Sequence, residues 1–225
     1  MQFPHLHDWP ATEAEAVALQ HSLVARVDTS APPTRPIEYV AGCDIAYHLT
    51  DPRLFAAVVV LKVSDLSVVE ERTVSREVTF PYIPGLLSFR EIPALLDTFR
   101  ELRRAPDAVM LDGQGIAHPR RFGLACHLGL WLDLPCVGCA KSWLAGDHTE
   151  PGPNAGDATA LTVSGETVGS VVRSATGVKS VYVSPGHKID VAGATTLVRA
   201  TLSGYRHPAP TRAAHMAANH LRSGV

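Results

Sequence analysis

The chain changes rhythm near residue 80, and that change limits its fold more than any other feature. Before it lie three β-rich runs in close order, residues 39–47, 55–63 and 68–79, separated by the turn-prone Thr50-Asp51-Pro52 and Ser64-Asp65. Connections this short favour an antiparallel meander. After Pro81 to Gly85 the pattern becomes helix 89–103, strand 108–111, helix 119–132 and strand 136–140. Strands alternating with helices predict parallel crossovers, so the expected fold class is α/β. The expected architecture is one mixed sheet, with the three-stranded meander followed by βα units and flanked by helices, in an RNase H-like order.

An amphipathic helix is predicted over residues 12–27, ended by the Pro-rich stretch from Ala31 to Pro36. Residues 146–169 read as a loop with one short strand at most. A strand at 180–184, a helix at 191–202 and a helical tail from Thr211 complete the chain. No linker divides it, so residues 1–225 are expected to form a single domain.

With 46% hydrophobic residues among 225, a real core can form and disorder is excluded. The apolar run 55–61 is far too short to span a bilayer, and the opening MQFPHLHDWP lacks a basic and an apolar signal region. No membrane partner and a cytoplasmic location are therefore expected. No apolar helix stripe is left over, which favours a monomer. Cys43, Cys126, Cys136 and Cys139 read as reduced, buried thiols; the spacing of Cys136 and Cys139 in a strand puts them on opposite faces.

A net charge of −2 argues, as a sum, against a polybasic nucleic-acid binder. The distribution is uneven. Residues 191–225 hold four arginines and no acid, so that end carries +4 and the rest −6.

Asp44 interrupts the apolar run Val40-Ala-Gly-Cys-Asp-Ile-Ala-Tyr47, where a carboxylate is unfavourable unless paired or bound to a cation. Asp112 ends the apolar strand 108–111, and sites gather at the carboxyl ends of strands in open α/β sheets. Two converging carboxylates suit a hard cation such as Mg²⁺. Glu91 permits two readings. Ser88-Phe-Arg-Glu91 matches a capping box, whereas a helix starting nearer Pro93 frees the Glu91 carboxylate to complete a metal site. Pro119 as a first helical residue places Arg120 and Arg121 in a first turn, where an anion such as phosphate would reconcile them with the helix dipole. Tyr82, in the rigid Pro81-Tyr-Ile-Pro-Gly85, either packs on the core or wedges between bases. Lys141 follows the strand 136–140. No P-loop, dinucleotide fingerprint or nucleophile elbow is present.

Ala41-Gly-Cys-Asp-Ile-Ala, Pro81-Tyr-Ile-Pro-Gly-Leu-Leu-Ser-Phe-Arg-Glu91, Asp112-Gly-Gln-Gly-Ile-Ala-His-Pro-Arg-Arg121 and Gly138-Cys-Ala-Lys141 together resemble the endonuclease V, or deoxyinosine 3′-endonuclease, family. The likeness continues through Ser184-Pro-Gly-His187 and the segment from Gly204 to Arg212. The resemblance implies an RNase H-like fold and hydrolysis requiring Mg²⁺, with Mn²⁺ able to substitute. It implies a nick at the second phosphodiester 3′ to deoxyinosine, leaving 3′-hydroxyl and 5′-phosphate ends. On this likeness Asp44, Asp112 and Glu91 match the metal-binding and catalytic acids, Lys141 a lysine near the scissile phosphate, and His215 a position on the metal side. Tyr82 matches a wedge beside the lesion, with Ile83, Gly113, His118, Arg120 and Arg121 on the DNA side. The sequence departs from the family pattern at Gln114, Ala117 and Ala192; an acid is usual at the last. The implied partner is DNA containing deoxyinosine. A ribonuclease acting on inosine-containing RNA is the nearer alternative, and a lesion-binding module that does not cut is the farther one.

Overall fold

The computed structural model describes residues 1–48 and 50–224. The rhythm change is visible as a change in strand direction. The meander is β1 (Tyr39–Tyr47), β2 (Arg53–Lys62) and β3 (Val68–Glu77), paired antiparallel with β1 innermost. β4 (Ala108–Leu111) then lies parallel to β1, and β5 (Cys136–Ala140) parallel to β4. The crossovers are α2 (Leu87–Arg100) and α3 (Leu124–Leu132).

Beyond β5 the structure departs from the expectation. The segment read as a loop contains β6 (Asp147–His148), β7 (Ala158–Val163) and the first part of β8 (Glu166–Val172). The missed signal is Ser164-Gly165. Both residues have positive φ, 53° and 80°, and join β7 to β8 as a two-residue hairpin. β9 (Val181–His187) runs antiparallel to β5 rather than parallel, so the sheet order is β3-β2-β1-β4-β5-β9-β8-β7-β6.

Strands covered on both faces read as continuous apolar runs, and β1, β2, β4 and β5 are such strands. On one face Val40, Phe55, Met110 and Val137 pack with α4 (Val191–Ala200) and α5 (Ala209–Ser223); on the other, Ala41, Val58, Leu111 and Cys136 pack with α2 and α3. Cys139 falls in the first cluster and Cys136 in the second, on the opposite faces expected. All four thiols are free and buried. The N-terminal segment is tied down, its ammonium group donating to the carbonyls of Phe99, Arg100 and Leu102 near the end of α2.

The helix starts are where local reading went furthest astray. α1 (Glu13–Leu23) has the full capping box, Thr12 with Glu15. α2 does not use Ser88 as a cap: the helix begins at Leu87, leaving Glu91 and Pro93 in its interior. Both proposed helix starts are corrected, for the helix begins neither at a Ser88 cap nor near Pro93, and the Glu91 carboxyl does not serve as a cap. α3 begins at Leu124, so Pro119 to Arg121 form a turn outside it and the frustrated-dipole argument for an anion beside Arg120 and Arg121 falls. α4 is capped by Asp190, whose side chain accepts from the amide of Gly193 at 2.7 Å, so the helix keeps an acidic cap although residue 192 is alanine. No helix among the described residues is long and apolar enough to cross a membrane.

Candidate active site

The register of β1 against β4 dictates the chemistry at their ends. Pairing runs from Val40 beside Ala108 to Cys43 beside Leu111, and the next residues along the two strands are Asp44 and Asp112. Neighbouring strands lie about 4.8 Å apart and in-register side chains share a face, so the two carboxyls stand side by side, Asp112 just past the end of β4 and Asp44 within the second half of β1. Each side chain is only 12% exposed. Lys141, just past β5, places Nζ 2.7 Å from Oδ2 of Asp112. From α5, Nδ1 of His215 lies 2.6 Å from Oδ2 of Asp44. α5 reaches this close because residue 42 is glycine; a Cβ there would stand 1.9 Å from the carbonyl oxygen of Pro210. The third carboxyl arrives from α2. Glu91 is 7% exposed and its Oε1 accepts the Tyr47 hydroxyl at 2.7 Å.

The electrostatics show a shortage of positive charge. Burial raises Asp44 above its ordinary carboxylate range, and Asp112 adds to the rise against the opposing bond from His215. Burial pushes Glu91 up to about 8; the Tyr47 bond resists, while Asp44 and Asp112 add to the shift. Like charges at close quarters behave this way unless a cation joins them. Among the described residues no group of three or more His, Cys, Asp and Glu side chains is arranged to hold a metal ion by itself. That absence is compatible with an ion that takes one or two carboxylates and completes its shell with water and phosphate oxygens. Three facing carboxyls, two of them raised by burial and mutual repulsion, fit a hard divalent cation.

Beside the carboxyls opens a pocket of about 310 Å³, whose walls include Tyr82, Gly85, Asp112, Gly113, Lys141 and Trp143. Its lining is mostly apolar, and Asp112 and Lys141 connect it to the charged cluster. The loop bearing Tyr82 is held by clamps on one carbonyl. Gly85 O accepts from Nε2 of His118 at 3.1 Å and from Nη2 of Arg120 at 2.8 Å, and also from Nε2 of Gln20 at 3.0 Å. Gln20 Oε1 in turn accepts from Nε of Arg120 at 2.5 Å. Gly85 has φ of +80°, a conformation that favours glycine, and a Cβ there would push on Arg120 Nη2 at 2.7 Å.

The family model for Endonuclease V matches residues 21–216. The chain belongs to the endonuclease V family. The Endonuclease V of Nostoc punctiforme is 46% identical over 214 residues, covering 95% of this chain and 97% of that one. The crystal structure of the Streptomyces avermitilis Endonuclease V superposes with a TM-score of 0.89 at 42% identity, covering 96% of each chain. A Ciona intestinalis Endonuclease V, solved in complex with a 24mer DNA containing an inosine followed by a ribo-adenosine, has the same fold at 24% identity. Its TM-score is 0.82, with 94% of this chain and 97% of that one covered.

Against the endonuclease V motifs, the structure gathers Asp44, Glu91, Asp112, Lys141 and His215 at one end of the sheet and lines the adjoining pocket with Tyr82, Ile83, Gly113 and His118. Arg120 is turned inward onto Gly85 and Gln20. Arg121, at φ of +55°, pairs with Glu166 of β8 at 2.6 Å. Both arginines thus have protein partners. Burial, with the Arg120 charge beside it, lowers the His118 pKa to about 4, so the ring is neutral and its Nδ1 accepts the Arg120 amide at 3.2 Å.

Several neighbours of the site carried no local signal. Tyr47 is one. His207 stacks on His215 with ring centroids 5.8 Å apart and planes at 18°. Arg206 donates to Lys141 O at 2.5 Å. Ser88, on the pocket wall, is hydrogen-bonded to the buried His127, which meets His7 at 2.6 Å. Tyr47 ends an apolar strand three residues before the turn-prone Thr50-Asp51-Pro52, but nothing local marks it as a partner of Glu91, and the others carry no signal at all.

Proposed function

We propose that the chain is a divalent-metal-dependent endonuclease that nicks a DNA strand at the second phosphodiester 3′ to deoxyinosine, leaving a 3′-hydroxyl and a 5′-phosphate. The observation that carries this reading is the placement of Asp44 and Asp112 side by side, with Glu91 closing on them, at the mouth of a largely apolar pocket. A phosphodiester brought to the carboxyls leaves a neighbouring base within reach of the pocket. The inosine-containing DNA bound by the Ciona relative accords with this substrate.

Asp44 and Asp112 would hold Mg²⁺, with Glu91 beside them and Mn²⁺ an acceptable substitute. When bound, the ion would supply charge neutralisation at the phosphate and a more acidic water. The residues do the rest. The Lys141 ammonium, 2.7 Å from Asp112, is placed to bind a phosphate oxygen and favour the charge that builds in the transition state. His215, through its N–H bond, fixes the orientation of Asp44. Glu91, raised by burial, is suited to exchange a proton at Oε2 while Tyr47 occupies Oε1. A water oxygen attacks phosphorus, the P–O3′ bond breaks, and O3′ takes up a proton as the 3′-hydroxyl departs. On the pocket side Tyr82, 67% exposed on a clamped loop, is free to enter the gap left when the inosine nucleotide turns out.

A binder that never cuts would have no use for three carboxyls facing phosphate. The test is a nicking gel on an end-labelled strand carrying one deoxyinosine, with Mg²⁺ and with EDTA, beside the same strand carrying deoxyadenosine. The expected result is a single product, dependent on both inosine and metal. Stable binding without any product would overturn the reading.

A further inference from the structure

The chain has three tryptophans, and one of them is placed unlike the others. Trp131 is buried, and Trp9 stacks on it with ring centroids 5.6 Å apart. Trp143 is 56% exposed, and among the described residues no ring or guanidinium stacks on it. It lines the same pocket as Tyr82, two residues past Lys141.

Trp143 is also held in place. Its indole N–H donates to Gly146 O at 2.7 Å. Gly146 has φ of +92°, and a Cβ there would stand 2.6 Å from Thr162 O, so the turn closes tightly on β7. The backbone before the ring is pinned twice, Ser142 O accepting from Nε2 of Gln114 and Lys141 O from Arg206. Gln114 is the residue that departs from the family pattern between the two glycines, and its amide reaches across to this second loop. With its only donor already used by the protein, the exposed indole has an aromatic face left to offer. A rigid, unpartnered face pays little ordering entropy when a flat ring settles on it.

We propose that Trp143 is a base-stacking residue: its indole face packs against the base turned out into the pocket, and Gln114 is the positioning residue that holds its loop. Stacking is tolerant of base identity, so Trp143 supplies affinity for an extruded base and leaves the choice of base to other groups of the pocket. The proposal rests on the substrate reading above.

The experiment compares Trp143→Ala, Trp143→Phe and Gln114→Ala with the parent protein. Fluorescence anisotropy in Ca²⁺ reads their affinity for two strands, one with a single deoxyinosine and one with an abasic site in its place. Loss of a stack should weaken binding of the deoxyinosine strand by Trp143→Ala about tenfold or more, with Trp143→Phe near parent and Gln114→Ala between them. On the abasic strand Trp143→Ala and parent should bind alike. Equal weakening on both strands, or none on either, would overturn the assignment. Melting curves establish that the variants are folded, which the exposure of Trp143 favours. If the parent itself does not nick the deoxyinosine strand, the substrate reading fails; if it does and Trp143→Ala binds that strand as tightly, only the stacking assignment fails.

Discussion

The two sides of the site are built on different principles. The carboxyl side rests on sheet register: Asp44 and Asp112 are neighbours because β1 and β4 are parallel and in step, and Glu91 is added from a buried helix. The pocket side rests on loops, held by side chains that donate to single carbonyls, as Gln20, His118 and Arg120 do to Gly85. On the first side three carboxyls share one ammonium, Lys141, and one imidazole, His215; on the second the main contacts are satisfied within the protein. Groups that meet a cation and a phosphate must be held against their own repulsion, which a central sheet can do. A surface that admits a turned-out base must stay open, which clamped loops can do.

Removing a carboxyl should separate the two sides most sharply. Asp112→Ala or Asp44→Ala is expected to lower the nicking rate by about 10³-fold while retaining binding of a deoxyinosine strand, read by single-turnover gel and by anisotropy. Near-normal cleavage by either variant in Mg²⁺ would refute the metal assignment. On the pocket side, Arg120→Ala breaks the clamp on Gly85 and strands Gln20. The expected outcome is about tenfold weaker binding with the rate at saturating substrate little changed. A fall in that rate matching the carboxyl variants would show that the two sides do not act separately.

Tyr47→Phe tests the link between Glu91 and the core. It leaves Oε1 of a buried carboxyl without its donor, so denaturant unfolding should show about 1–3 kcal/mol lost and nicking should fall by less than in Asp112→Ala. The smallest effect concerns acid. His127 is held well below the usual histidine range by burial, His7 is lowered for the same leading reason, and His118 sits at about 4. Unfolded histidines titrate near 6.5, so between that value and the folded values the unfolded chain binds more protons. Stability from these rings is present above about pH 6.5 and lost as pH falls below it. The buried Glu91, raised to about 8, acts with the opposite sign, so the check is a difference: between pH 7 and pH 5 the melting temperature of His127→Gln should fall less, or rise more, than that of the parent.

The order of strands and helices was legible because burial on two faces writes itself into the chain as apolar runs, and Asp44 and Asp112 stand out against those runs. Even there the helix starts misled. Ser88 has the form of a cap and instead bonds His127; Pro119 has the form of a first residue and instead lies in a turn. Local chemistry permits several starts, and packing of Phe89, Ile92, Leu95 and Phe99 of α2 and of α3 against their neighbours selects one.

The charge balance is a further case. The sum of −2 weighed against nucleic acid, yet it averages an acid-rich body with a C-terminal segment of +4. The structure adds that segment to the site, as Arg206 and His215 flank Lys141 and Asp44.

By itself the sequence determined the parallel centre of the sheet, the antiparallel meander beside it, one carboxyl inside an apolar strand and another at a strand's end. Each follows from a periodicity or an interruption within about ten residues. Only the tertiary structure decided that Arg120 faces inward to Gln20, that His215 reaches Asp44 across 171 positions, and that Trp143 shares a pocket with Tyr82. Such contacts join residues a hundred or more apart or loops from different crossovers. They depend on where the chain returns in space, which no local spacing encodes.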